Sequence, residues 1–185
     1  MESSDEKRQY PEVFDKVAKR ADGAAVPLAG LSKFFETTAS IVAWQVAVVS
    51  PGFLGLLWNA RTLAEHSRLP AHVFDVVFLA AELCFLAVII LSVLLHNVLT
   101  EKSLTGAIGT IALQGIKSTV DKMALMGVDK DSVESFRSLI EQHDGLQQKL
   151  VSQPWYLSPA GKLHGWVTII GYVLVGIIIA ALKLH

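Results

Sequence analysis

Three long apolar stretches alternate along this chain with segments in which polar and apolar positions are mixed. Residues Thr37–Ala60 include no Asp, Glu, Lys or Arg over 24 positions. The same holds for 18 positions from Leu83 to Thr100 and for 20 from Leu163 to Leu182. The apolar pattern of the second stretch reaches back to Val73. A helix needs about 20 such residues to cross roughly 30 Å of hydrocarbon. The pattern therefore predicts an all-α integral membrane protein with transmembrane helices at 37–60, 73–99 and 158–183. Interfacial residues mark the ends: Trp44 and Trp58, His72 and His96, and Trp166 with Lys183, which can snorkel to the headgroups. Trp155 and Tyr156 suit the headgroup layer before the third span, and Ser158 followed by Pro159 reads as its N-cap and first turn.

The intervening segments carry weaker helical signals. In the tail 1–36, Val13, Phe14, Val17 and Ala21 share one face, which predicts a short amphipathic helix followed by a Gly/Pro/Ala linker at "DGAAVPLAG". Residues 61–72 read as a short outer loop. In the connection 100–157, the uncharged run "SLTGAIGTIALQGI" is too short to span, and Gly106, Gly109 and Gly115 weaken it as a helix; it is expected to lie at the interface or packed. After it, Val133, Phe136, Leu139, Ile140 and Leu150 fall at helical spacing. Asp131 is placed as the N-cap with Glu134 completing a capping box, an amphipathic helix resting on the bilayer or a partner.

Charge adds a direction. Lys and Arg number six in 1–36 and seven in 101–162, against two in 61–72 and one at the C-terminal end. The excess of basic residues assigns the first two segments to the inner side, with the N-terminus inside and the C-terminus outside. Over the whole chain the net charge is −1, which offers no basic field for nucleic acid. Cys84 is the one cysteine, so no internal disulfide can form, and no Cys/His cluster has zinc spacing. The charged N-terminus has the form of neither a secretory signal nor a transit peptide.

Candidate chemistry concentrates in the second span, where Asp75, Glu82 and His96 interrupt the apolar run. At 100° per residue Asp75 and Glu82 lie about 20° apart and His96 about 40° further, a single polar face. An acid near a helix centre costs roughly 2.5–3.5 kcal/mol in lipid, so this face is expected to meet protein or water. Asp75 can pair with Arg61 or Arg68, and His96 can bond headgroups or backbone. Counted inward from the outer side, Glu82 lies near Pro51 and Gly52 of the first span and Val175 of the third, and neither span holds Lys or Arg at that depth. A neutral Glu82 is therefore expected to donate to Ser50 or to the Ala47 carbonyl that Pro51 leaves free; the other readings are a basic partner from another subunit and a place on a proton or ion path. His164, at the inner start of the third span, stands at a depth similar to His96. Two such histidines could hold haem or a chlorophyll-type pigment.

Small residues supply packing faces: Ala39, Ala43, Ala47, Pro51 and Gly55 in the first span, and Gly161 with Gly165 and Gly176 with Ala180 in the third. Such faces let helices approach closely, within the chain or between chains. No nucleophile motif, metal cluster or phosphate loop is evident. The reading is a non-catalytic accessory or structural subunit of a larger membrane complex, with lipids and other membrane subunits as partners and no cofactor. The alternatives are a haem- or pigment-carrying subunit using His96 and His164, or a small oligomeric channel lined by the Asp75–Glu82–His96 face.

Overall fold

The computed structural model describes residues 4–126, 130–152 and 158–182; the side chains of 4–11, 130–134 and 144 lie outside that description. Among the described residues there are four helices: α1 Ser4–His66, α2 Ala71–Met126, α3 Lys130–Val151 and α4 Pro159–Ala180. No strand occurs among the described residues, and the sole strand-like pairing is a bridge between Ser67 and Leu182. Three helices, α1, α2 and α4, are long and apolar enough to cross a membrane.

Contacts divide the chain into two units. One comprises residues 1–36 and 100–153, the other residues 37–99 and 154–185. The first unit is built from the early part of α1, the late part of α2, and α3. The second is built from the rest of α1 and α2, with α4.

One periodicity organises every helix. In α1 the covered positions advance by alternating steps of four and three, through Phe14, Ala18, Ala21, Ala25, Leu28 and Ser32, and on through Phe35, Ala39, Val42, Val46 and Val49 to Leu63. In α2 the same steps join Phe74, Phe78, Ala81, Phe85, Val88 and Ser92, then continue through Leu99, Gly106, Gly109 and Leu113 to Val120. Phe136, Ile140, His143, Gln147 and Leu150 repeat it in α3, and Gly161, His164, Thr168, Gly171, Val175 and Ile178 in α4. A seven-residue repeat keeps one seam of a helix against its neighbours over many turns.

This repeat overrides several expectations from local residue preference. The segment "DGAAVPLAG" is not a linker but part of α1. Ala21, Ala25 and Leu28 hold the seam there, while Gly23, Pro27 and Gly30 face outward. The three glycines of 103–116 do not break α2 either. A Cβ on Gly106 would lie 3.2 Å from the Ser32 Cβ, and one on Gly109 3.3 Å from side-chain carbons of Leu28 and Leu146. Two of the three glycines thus permit close helix contact, and Gly115 faces open space. The expected outer loop 61–72 is shorter than predicted. α1 continues to His66, aided by an i,i+4 pair between Arg61 and Glu65 at 3.0 Å, and α2 begins at Ala71.

The third span starts as expected. Ser158 caps α4, its hydroxyl accepting from the Gly161 N–H at 3.1 Å, with proline in the first turn. Helix α3 rests on its own chain: Ile140 is fully buried, and Arg20 of α1 reaches Glu141 at 3.4 Å. The proposed cap and capping box at Asp131 and Glu134, and the aromatic pair Trp155 and Tyr156, lie outside the described residues, as does Lys183.

Candidate functional site in the second unit

The interior of the second unit is apolar at two levels. Val49, Phe85 and Val88 pack with Phe53, Leu56 and Val167; Phe74, Ala81 and Ile178 pack with Phe78 and Leu174. Val175 touches both clusters. Gly171 lets α4 come close to α2: a Cβ there would meet the Cys84 Cβ at 3.3 Å and the Phe85 ring at 3.5 Å. Gly171 belongs to neither of the four-residue small pairs of the third span. Its signal is the spacing of seven through His164, Gly171 and Ile178.

Polar groups are set into this packing. Ser92 and His164 are both buried and share a hydrogen bond, Oγ to Nε2, at 2.8 Å. His96 approaches the Ala39 carbonyl through Nδ1 at 3.1 Å. The neutral tautomer with the proton on Nδ1 makes that a bond from α2 to α1. The backbone partner expected for His96 is thus present. Both histidines have a protein partner at one ring nitrogen.

The three ionisable residues of the second span do share one helical position, separated by seven and fourteen residues, but not one environment. Asp75 is exposed, Glu82 is buried at 7% exposure, and His96 is half-buried. Asp75 lies early in α2. It pairs with neither candidate arginine, and Arg61 is engaged by Glu65. The three therefore share a helical face without sharing one exposure.

Glu82 departs furthest from expectation. Both its carboxylate oxygens are enclosed without a hydrogen-bond partner, and so is Gln45 Oε1. The expected bonds to Ser50 and the Ala47 carbonyl are not made. The register explains why. Contacts of His96 with Ala39, and of Val49 with Phe85 and Val88, run antiparallel along α1 and α2. They bring Glu82 level with Phe53 and about two turns from Ala47.

The small-residue stripe of the first span also divides. Ala39 is buried, whereas Ala43, Ala47, Pro51 and Gly55 are exposed. Val42, Val49 and Phe53 take the inward positions instead. In α4, Gly161 is buried and Gly165, Gly176 and Ala180 are exposed. A Cβ on Gly55, Gly165 or Gly176 would meet nothing within 4 Å. No group of three or more potential metal ligands occurs among the described residues. Comparison with known proteins finds no matching family model, curated protein or solved structure.

Proposed function

We propose that this chain is a non-catalytic structural subunit of a larger membrane assembly, held to its partners through helix faces that its own fold leaves open. The carrying observation is the outward Ala43–Ala47–Pro51–Gly55 stripe. The chain packs α1 through larger residues one face away. Small residues turned outward create a shallow groove in which another helix gains close van der Waals contact, a stronger attraction than lipid tails provide. The excess of Lys and Arg in 1–36 and 101–162 supports an orientation with both on the inner side and the C-terminal end of α4 outside.

Extraction in mild detergent followed by native mass measurement tests this reading: other chains should travel with this one in fixed proportion. Ala47→Leu should reduce that association. Val48→Leu, at an exposed position about 100° around the helix, should not. Recovery of this chain alone, or equal tolerance of both changes, would show that the stripe faces lipid.

A further inference from the structure

The first unit also leaves an apolar surface open, and this one lies beyond a layer of charge. Lys33, Glu36, Glu101 and Lys102 mark that layer, with Lys33 paired to Glu36 at 3.0 Å and Lys102 lying over the Phe35 ring. Past it, α2 carries no charge from Ser103 to Ile116, 14 residues or about 21 Å, too short to span a bilayer. Leu104, Ile108 and Ile111 are nonetheless 60%, 58% and 69% exposed. Beside them, between α1 and α2, runs an open groove of about 270 Å³. Small side chains, Ala29, Ser32, Ala107 and Thr110, line it, with Ile111 on one wall. Lys33 and Glu36 edge it on α1.

We infer that this surface is where a second copy of the chain docks, side by side, to form a parallel two-fold pair. Copies inserted in one orientation can be related by a two-fold axis only if it runs along the bilayer normal, so their α2 helices run parallel. In a parallel pair one flank of each helix faces the opposite flank of the other. Relative to Leu104, Ile111 lies about 20° to one side, with Ala107 and Thr110 about 60° and 120° to that side, toward α1. Ile108 and Glu101 lie about 40° and 60° to the other. Leu104 and Ile111 then meet their own counterparts near the axis. Ile108 of the second copy enters the groove.

Charge complements shape at the same level. Ser32 and Ser103 are linked by hydrogen bonds, Ser32 Oγ to the Ser103 carbonyl at 2.9 Å and Ser103 Oγ to the Ser32 carbonyl at 3.0 Å. That register sets Lys33 on α1 level with Glu101 and Lys102 on α2. The two-fold pairing therefore brings Lys33 of one copy to Glu101 of the other, twice.

The inference needs a shared membrane orientation but not the additional subunits proposed above, and one measurement separates them. In mild detergent the intact chain should run with two copies per particle, whether or not other chains accompany it. One copy with other chains would overturn the pairing and keep the structural-subunit reading; two copies alone would do the reverse. Ile111→Asp should weaken the pair more than about ten-fold, because it desolvates a charge at the axis. Lys33→Glu should weaken it, and Lys33→Glu with Glu101→Lys should restore it, a recovery that misfolding would not give. In a Cys84→Ala background, Leu104→Cys should cross-link to its counterpart in the membrane and Leu139→Cys on α3 should not. A single-copy wild type, equal cross-linking at both sites, or no recovery in the double charge exchange would each overturn the proposal.

Discussion

The two units repeat the same seven-residue seam with their surfaces reversed. In the unit of 1–36 and 100–153, the buried positions are mostly Ala, Gly, Leu, Ile, Val and Phe, with Thr110 the polar exception among the described residues, and charge pairs lie outside, such as Arg20 with Glu141 and Lys117 with Asp22. In the unit of 37–99 and 154–185, the outside is apolar, with Trp58 90% exposed and Trp44, Ile90 and Trp166 also open. Its inside holds Glu82, Ser92 and His164. Helix periodicity decides which positions face a neighbour in both units. Solvent decides what the remaining positions carry. Each unit also breaks its own pattern once, at Glu82 in one and at the exposed Leu104–Ile108–Ile111 ridge in the other.

The largest expected effects come from filling the close approaches. Gly171→Leu should push α4 away from α2, since even a Cβ crowds Cys84 and Phe85. Gly106→Leu should do the same to α1 and α2 in the first unit, where a Cβ already lies 3.4 Å from the Leu28 carbonyl oxygen. Overpacking of this kind costs typically about 1–3 kcal/mol, and a leucine against backbone lies at the upper end. Hydrogen exchange should place the loss of protection in the unit that carries the change. Gly176→Leu, which meets open space, should leave exchange unaltered. Loss spread evenly over both units from either change would mean they do not stand as separate packing units.

The sequence showed the class of fold readily and the extent and contacts of its helices poorly. Absence of charge over 18 to 24 residues is a strong signal, because one Lys or Asp at the centre of a helix in lipid is costly. Hence the three membrane-length helices were legible. The extent of α1 was not. Gly23, Pro27 and Gly30 carry local turn preference, yet all three occupy exposed positions where they touch no neighbour, and the seam continued beneath them. Glu82 was recognised as the costly residue of its span. Its depth was legible too, near Pro51 and Gly52 against Phe53 in the structure, but its bonding was not, because the Ala47 carbonyl lies about two turns further along α1. Gly171 was missed for a related reason: close contact repeats every seven residues here rather than every four.

A medium effect tests the reversed interior at Glu82. A buried polar group that lacks a hydrogen bond is destabilising relative to an apolar side chain of similar size. With both oxygens unpartnered, Glu82→Leu should therefore stabilise the second unit, by about 1–3 kcal/mol, in detergent unfolding. Ser92→Ala should act oppositely, because it strands His164 Nε2, at a cost of about 1–3 kcal/mol. A destabilising Glu82→Leu would reveal that the carboxyl has a partner supplied from outside the chain. The comparison would then sharpen: the polar interior of this unit would be a binding feature rather than a tolerated cost.

The smallest expected effect is at the surface of the first unit. Lys117 donates to Asp22 Oδ1 at 2.9 Å, and that bond, followed by the attraction of Asp22 and Asp121, raises the lysine above its usual pKa of 10.5. A lysine raised by folding contributes stability that is complete below its unfolded pKa and disappears as pH rises through the folded value. The contribution of this pair should therefore be constant through neutral pH and fall only above about pH 10.5. Solvent and salt screen an exposed pair, so the change should be slight. Asp22→Asn removes the charge partner and should flatten that end of the profile. The measurement is thermal unfolding of wild type and variant at low salt from pH 8 upward, compared with the same series at high salt. A difference that vanishes at high pH and at high salt identifies a surface pair linking α1 to α2. A difference that persists at both would mean Asp22 supports the first unit through packing or hydrogen bonding to a neutral group, and that charge is not what distinguishes its surface from that of the second unit.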